Sequence, residues 1–122
     1  MSAVTTHVLD AALGRPAAGV PVRLEQLQPP GRPDQADPDD ARANLVAAAS
    51  TDADGRVSDL SVGELPRGTY RLVFDTGTYF ARTGRETFYP QVVVVFRLDE
   101  EGQHYHVPLL LSPFAYSTYR GS

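Results

Sequence analysis

The chain has 122 residues, enough for one domain of ordinary size, and its 42% hydrophobic and 21% charged content is that of a globular protein, not a disordered one. A formal net charge of −4 argues against a dedicated nucleic-acid binder, which carries a concentrated basic face. Cysteine is absent, which excludes disulfide scaffolds, thiolate zinc sites and cysteine nucleophiles.

The N-terminus lacks the basic start and long apolar run of a signal peptide. The longest apolar stretch, Val92-Val93-Val94-Val95-Phe96, is far below the roughly 20 residues of a membrane helix, so the cytoplasm is the expected location. Ten glycines and ten prolines break the chain into short segments. Residues 4–9 are the first predicted strand, closed by Asp10 and the turn-like Gly14-Arg15-Pro16. Residues 20–27 alternate apolar and polar side chains around Val22 and Leu24, the period of a half-buried strand, with Pro21 suited to its start or edge. Residues 29–42 hold four prolines and four aspartates and no large apolar residue; an exposed loop insertion is expected there.

Residues 45–50 are alanine-rich and compatible with helix or strand. Thr51-Asp52-Ala53-Asp54-Gly55-Arg56 is a tight turn with Asp-Gly at its centre, leading to a short strand over 56–60. Residues 68–74 alternate cleanly, with Tyr70, Leu72 and Phe74 on one face. Over 75–85 the alternation stops; Asp75 or Thr76 is placed to cap a short helix and Gly84 to end it. The β-branched run 91–98 predicts a strand covered on both sides, and 104–111 another strand beyond the hairpin loop Asp99-Glu100-Glu101-Gly102. Ser112-Pro113 breaks it, and 114–119 returns as a final short strand. Seven or eight short strands at this spacing imply an all-β, two-sheet antiparallel β-sandwich over the single domain 1–122. All eleven Phe and Tyr lie at Tyr70 or later, so the second half is expected to supply the bulky core.

Three histidines are the main candidates for chemistry: His7, His104 and His106. By alternation, His104 and His106 share one face of their strand and Tyr105 takes the other. A His-x-His pair with a distant third His is one form of a three-nitrogen zinc site, but paired strand histidines are more often simply solvated. Asp52-x-Asp54-Gly55 lacks the later ligands of a calcium loop and is expected to be a turn. There is no Gly-x-Ser-x-Gly nucleophile elbow and no glycine-rich phosphate loop. The last residues, Tyr116-Ser117-Thr118-Tyr119-Arg120-Gly121-Ser122, are rich in Tyr, Ser and Thr where chain ends usually fray, which points to a tail held in an interface or a site.

Three stretches carry a resemblance that covers the whole chain: Thr6-His7-Val8-Leu9-Asp10, Thr51-Asp52-Ala53-Asp54-Gly55-Arg56, and His104-Tyr105-His106-Val107-Pro108-Leu109-Leu110-Leu111-Ser112-Pro113 running on to Tyr119-Arg120-Gly121-Ser122. They resemble the 5-hydroxyisourate hydrolases, the transthyretin-like enzymes of urate degradation. The terminal Tyr-Arg-Gly-Ser is the most specific element, because the transthyretin hormone carriers lack it. The resemblance implies a transthyretin-like sandwich with one short helix, a homotetramer built as a dimer of dimers, and sites in the channel between dimers. It also implies hydrolytic opening of the six-membered ring of 5-hydroxyisourate to 2-oxo-4-hydroxy-4-carboxy-5-ureidoimidazoline, with no metal or organic cofactor and no nucleic-acid or membrane partner. His7, Arg56 and His106 fall where the enzymes carry His, Arg and His, and are the expected catalytic residues. His7 and Arg56 also join Ser117 and Tyr119 as expected substrate contacts, with His104 at the rim and His106 slightly favoured over His7 as water activator. Two departures from the family are visible. The 29–42 segment is longer than the corresponding loop, and Phe114-Ala115 stands where Tyr-Gly is common. The alternatives are a non-catalytic carrier of a small aromatic ligand, against which Arg56 and the tail argue, and an adhesion or carbohydrate-binding sandwich, which usually displays exposed aromatic platforms; this chain has no Trp.

Overall fold

Alternation of buried and exposed side chains along the strands determines the architecture. In the computed structural model, which describes residues 3–27, 43–60, 64–100 and 103–121, strand β1 (Val4–Asp10) buries every second residue and leaves Thr5, His7 and Leu9 outside. The predicted 29–42 loop falls outside the described residues. The other elements are β2 (Arg15–Pro16), β3 (Pro21–Gln26), β4 (Asn44–Ser50), β5 (Arg56–Val57), β6 (Gly68–Phe74), helix α1 (Thr76–Arg82), β7 (Val92–Leu98), β8 (Tyr105–Ser112) and β9 (Ala115–Thr118).

Two sheets face each other. One has the order β2-β1-β8-β9, with β5 also paired to β1; the other has the order β4-β3-β6-β7. The predicted sandwich with one helix is present, and all but one of its strand pairs are antiparallel. The exception is central: β1 and β8 run parallel, in register from Val4↔Tyr105 to Asp10↔Leu111. Parallel neighbours need a long crossover, and here the intervening chain, including the whole second sheet, supplies it. The alanine-rich 44–50 segment is a strand on the outer edge of that second sheet, paired to β3 through an irregularity at Leu24/Glu25. Arg15-Pro16, read as part of a turn, adds a two-residue pairing to β1.

The core lies between the inner faces. Its largest fully buried side chains include Tyr70, Phe74, Phe80, Leu24, Leu72 and Leu109, so the aromatic second half does fill the centre. Each such side chain contributes about 1.5–3 kcal/mol relative to exposure. One expectation needs correcting. Strand β7 is not covered on both sides: Val92 and Leu98 are buried, but Val93 is 40% and Val95 50% exposed in this chain. In a two-sheet sandwich each strand has the core on its inner face alone, and no described residue of this chain covers the outer face of β7 at Val93 and Val95. Among the described residues no helix is long and apolar enough to cross a membrane.

Helix α1 closes one end of the sandwich. Asp75 caps it, its carboxylate accepting from Thr78 N at 3.1 Å and from Thr78 Oγ1 at 2.7 Å. Gly84, at φ 69°, turns the chain out just past the C-cap Thr83. The helix is tied to β1 through Asp10, which is fully buried and accepts from Tyr79 Oη at 2.7 Å, from Arg85 Nη2 at 2.6 Å and from Leu13 N at 3.0 Å. Burial pushes the Asp10 carboxyl up, but the hydrogen bonds from Arg85, Tyr79 and Leu13, with the Arg85 charge, outweigh it and hold it below its ordinary 3.8. Replacing Asp10 by Ala strands Arg85 and the Tyr79 hydroxyl, and is expected to cost about 3–5 kcal/mol in denaturant unfolding at neutral pH. A native pKa below the unfolded value means that this stabilisation is present above about pH 4 and is lost as pH falls through the native pKa. The stability gap between wild type and Asp10→Asn should therefore narrow in acid.

Candidate active site

The outer face of the β5-β1-β8-β9 sheet collects the polar residues that the inner face rejects. Arg56 on β5 sits opposite His7 on β1, and Thr5 on β1 sits opposite His106 on β8. Three segments distant in sequence thus meet on one surface.

The 52–55 turn delivers Arg56. Asp52 Oδ1 accepts from Asp54 N at 2.9 Å and from Arg56 N at 3.0 Å, and Gly55 N donates to Asp52 O at 2.9 Å. Gly55 has φ 75°, and a Cβ there would lie 2.3 Å from Val8 O, so only glycine lets the turn press against β1. The predicted turn is therefore present, and it also fixes a histidine. His7 Nε2 lies 2.9 Å from Asp54 O; a carbonyl can only accept, so this nitrogen carries the proton and donates. Among the described residues no carboxylate pairs with the Arg56 guanidinium.

Beside Arg56 is an open cleft of about 320 Å³, lined by Thr5, Thr6, Arg56, Val57, Ser58, His104 and His106. Tyr105 points the other way, as alternation requires, and its buried hydroxyl accepts from Asp99 N at 3.0 Å and Glu100 N at 3.2 Å. His106 is half-buried, and its Nδ1 lies 2.8 Å from Thr5 Oγ1. Burial, followed by the charges of Arg56, His104 and His7, holds the His106 pKa below its ordinary 6.5. With Nδ1 beside Thr5, Nε2 lies at the far tip of the ring, turned away from that residue. His104 is exposed at the rim, its Nε2 3.0 Å from the same Thr5 hydroxyl. Among the described residues no three His, Cys, Asp or Glu side chains form a group that could hold a metal ion.

The tail reaches the same place. Thr118 Oγ1 donates to Pro108 O at 2.6 Å and Gly121 N to His106 O at 2.8 Å, so the last residues continue the β8–β9 ladder as far as His106. A Cβ on Gly121 would lie 2.6 Å from His106 Cδ2, so backbone packs directly on the ring. Arg120 crosses to the inner side, its guanidinium 4.5 Å from the Tyr105 ring centre. Of the predicted contacts, Arg56 and His106 line the cleft, and His7 stands across the ladder from Arg56. Ser117 pairs with Leu110 further along β9 and does not line the cleft of this chain. Neither does Tyr119, which is 59% exposed and borders a larger, mainly apolar opening of about 470 Å³ between β7 and β9. That opening is the unclosed edge of the sandwich and lacks the histidines. Sequence reasoning missed Thr5 and Gly121, since only the parallel β1–β8 register and the tail ladder bring them to His106.

Residues 4–121 match the model of the HIUase/Transthyretin family. The chain is 44% identical to 5-hydroxyisourate hydrolase of Mus musculus, over 99% of this chain and 96% of the mouse protein. It is 42% identical to that of Caulobacter vibrioides, over the full length of both. Among solved structures, Klebsiella pneumoniae 5-hydroxyisourate hydrolase superposes with a TM-score of 0.81 at 38% identity, covering both chains completely. Transthyretin from Sparus aurata gives the same TM-score, 0.81, at 33% identity, over 99% of this chain and 97% of that one. A fold shared so evenly does not separate a hydrolase from a carrier, and that distinction is left to the side chains in the cleft. Taken with the sandwich topology, these matches place the chain in the HIUase/transthyretin family.

Proposed function

We propose that the protein hydrolyses 5-hydroxyisourate to 2-oxo-4-hydroxy-4-carboxy-5-ureidoimidazoline in urate degradation. The observation that carries this reading is a half-buried His106, its pKa held below the ordinary value by burial, in one cleft with an Arg56 that pairs with no carboxylate among the described residues, where a carrier of an aromatic ligand needs neither. Such a site suits a flat substrate dense with carbonyls. Water attacks a ring carbonyl carbon while its proton passes to His106 Nε2. Arg56 faces the oxygen on which negative charge develops. The carbon–nitrogen bond then breaks, and the departing ring nitrogen takes the proton back from His106. His7, whose Nε2 donates to Asp54 O, binds and orients the ring in this reading, and His106 is taken as the water activator.

Ser117 and Tyr119 are proposed as substrate contacts completed by assembly into a homotetramer, a dimer of dimers. The exposed outer residues of β7 and the open edge at β9 support such an assembly. The proposed chemistry uses no metal or organic cofactor, and the proposed location is the cytoplasm.

The direct test is to generate 5-hydroxyisourate from urate and follow its ultraviolet absorbance with this protein and chelator present. Accelerated decay is expected. Binding without turnover would favour the carrier, and loss of activity on chelation with rescue by zinc would overturn the metal-free mechanism. His106→Asn and Arg56→Ala are each expected to lower kcat/KM by at least about a hundredfold with little change in Tm. Because the base form is needed, kcat/KM should rise with pH through a pKa below 6.5. Residual activity of Arg56→Ala should show this acidic limb displaced to higher pH, since a positive neighbour has been removed. Gly121→Ala pushes a methyl group into the His106 ring and should lower kcat about tenfold or more in a folded protein, since ångström-scale misplacement costs up to about a hundredfold.

A further inference from the structure

The backbone ladder that carries the tail has a gap. Strand β9 pairs with β8 as far as Thr118, opposite Leu109. Next along β8 is Pro108, whose carbonyl accepts from Thr118 Oγ1 but which has no N–H to offer the returning chain. Pairing resumes only as the single bridge His106↔Gly121, with Gly121 N donating to His106 O at 2.8 Å. Tyr119 and Arg120 lie in the gap, where a chain end ordinarily frays.

A side chain spans it. The Arg120 guanidinium lies over the Tyr105 ring, 4.5 Å from its centre, and Arg120 Nη2 donates to Gln103 Oε1 at 3.2 Å. The platform is itself fixed. Tyr105 is buried, its N–H donates to Ala3 O at 2.8 Å, and its hydroxyl accepts from Asp99 N and Glu100 N. Two neighbouring residues of the tail therefore grip two neighbouring residues of β8 from opposite faces. Arg120 rests on Tyr105 within, and Gly121 rests on His106 outside, so close that a Cβ on it would lie 2.6 Å from His106 Cδ2. We infer that Arg120 is a positioning residue: stacked on Tyr105, it holds Gly121 against His106 and so sets how far that ring is withdrawn from water. The inference rests on His106 as the base proposed above; its new content is what keeps the ring covered. Burial is the first cause holding the His106 pKa below 6.5. The charges of Arg56 from β5, His104 ahead of β8 and His7 from β1 follow, and a hydrogen bond to Thr5 of β1 opposes them. Lifting the tail uncovers the ring, so its pKa rises toward 6.5.

Arg120→Ala tests this at an exposed position near the chain end, where folding is not at stake. Amide hydrogen exchange and the pH titration of the histidine ring signals are read by NMR, beside steady-state kinetics. The Gly121 amide should exchange at least about tenfold faster, while the β1–β8 amides stay protected. The His106 pKa should rise, and the acidic limb of kcat/KM should move to higher pH with it. On the plateau, kcat should fall about tenfold, because the ring is no longer held in line with its water. A His106 pKa that rises with Gly121 still protected reports the loss of a charge alone and would overturn the proposal. So would release of the Gly121 amide with His106 unchanged, or no change in either signal. Both signals are independent of turnover: if His106→Asn keeps full activity, the base assignment falls, while Gly121 exchange and the His106 titration still decide for or against Arg120.

Discussion

The parallel pairing of β1 with β8 is the constraint on which the rest of the structure depends. It sets Val4 beside Tyr105 and Val8 beside Leu109 on the inner face, and by the same register Thr5 beside His106 on the outer one. A slip of one residue would turn every side chain of β1 over, placing Thr5 and His7 in the core and Val4 and Val8 in water. Core and cleft are thus two faces of a single register, and neither can be altered alone. The buried Asp10 reinforces it from the end of β1, holding helix α1 and Arg85 against the strand.

Around that pair, the site is built from backbone as much as from side chains. Gly55 lets a turn approach Val8 O closely enough to bring Arg56 opposite His7, and Gly121 lets the tail lie on the His106 ring. Both glycines are required by proximity; Gly55 is required by its positive φ as well. The three candidate site side chains also differ in their freedom. His7 is held by a carbonyl, His106 by a hydroxyl, and Arg56 by its backbone through Asp52, with no carboxylate among the described residues pairing its guanidinium.

Much of this was legible in the sequence, and for physical reasons. Tyr70, Leu72 and Phe74 alternate because one face of β6 is buried, and period-two patterns report that directly. The Asp-Gly turn and the Asp75 cap are local hydrogen-bonding arrangements that need no knowledge of the rest of the chain. What was not legible is non-local. The β-branched run of β7 reads as doubly buried because composition records what a strand can bury, not whether a second layer is there to cover it; on the outer face of the sandwich, Val93 and Val95 remain exposed in this chain. Thr5 carried no signal at all, since a threonine in a strand is ordinary and its partner is 101 residues away. His104 could be placed on the correct face, but its link through Thr5 requires the parallel register, which alternation does not provide.

The distance along the chain between the parts of the cleft has a kinetic consequence. Residues from β1, β5, β8 and the tail must all be in place before Arg56 and His106 face one opening, and the β1–β8 closure spans nearly the whole chain. Long-range parallel pairing is among the slower events in folding, because the entropy of closing the loop is lost before contacts compensate for it. No fragment ending before β8 can contain the cleft, and a collapsed intermediate that has paired β3, β4, β6 and β7 still lacks it. Catalytic competence therefore arrives together with native topology, so recovered turnover reports the closing of the last long loop more faithfully than recovered secondary structure does.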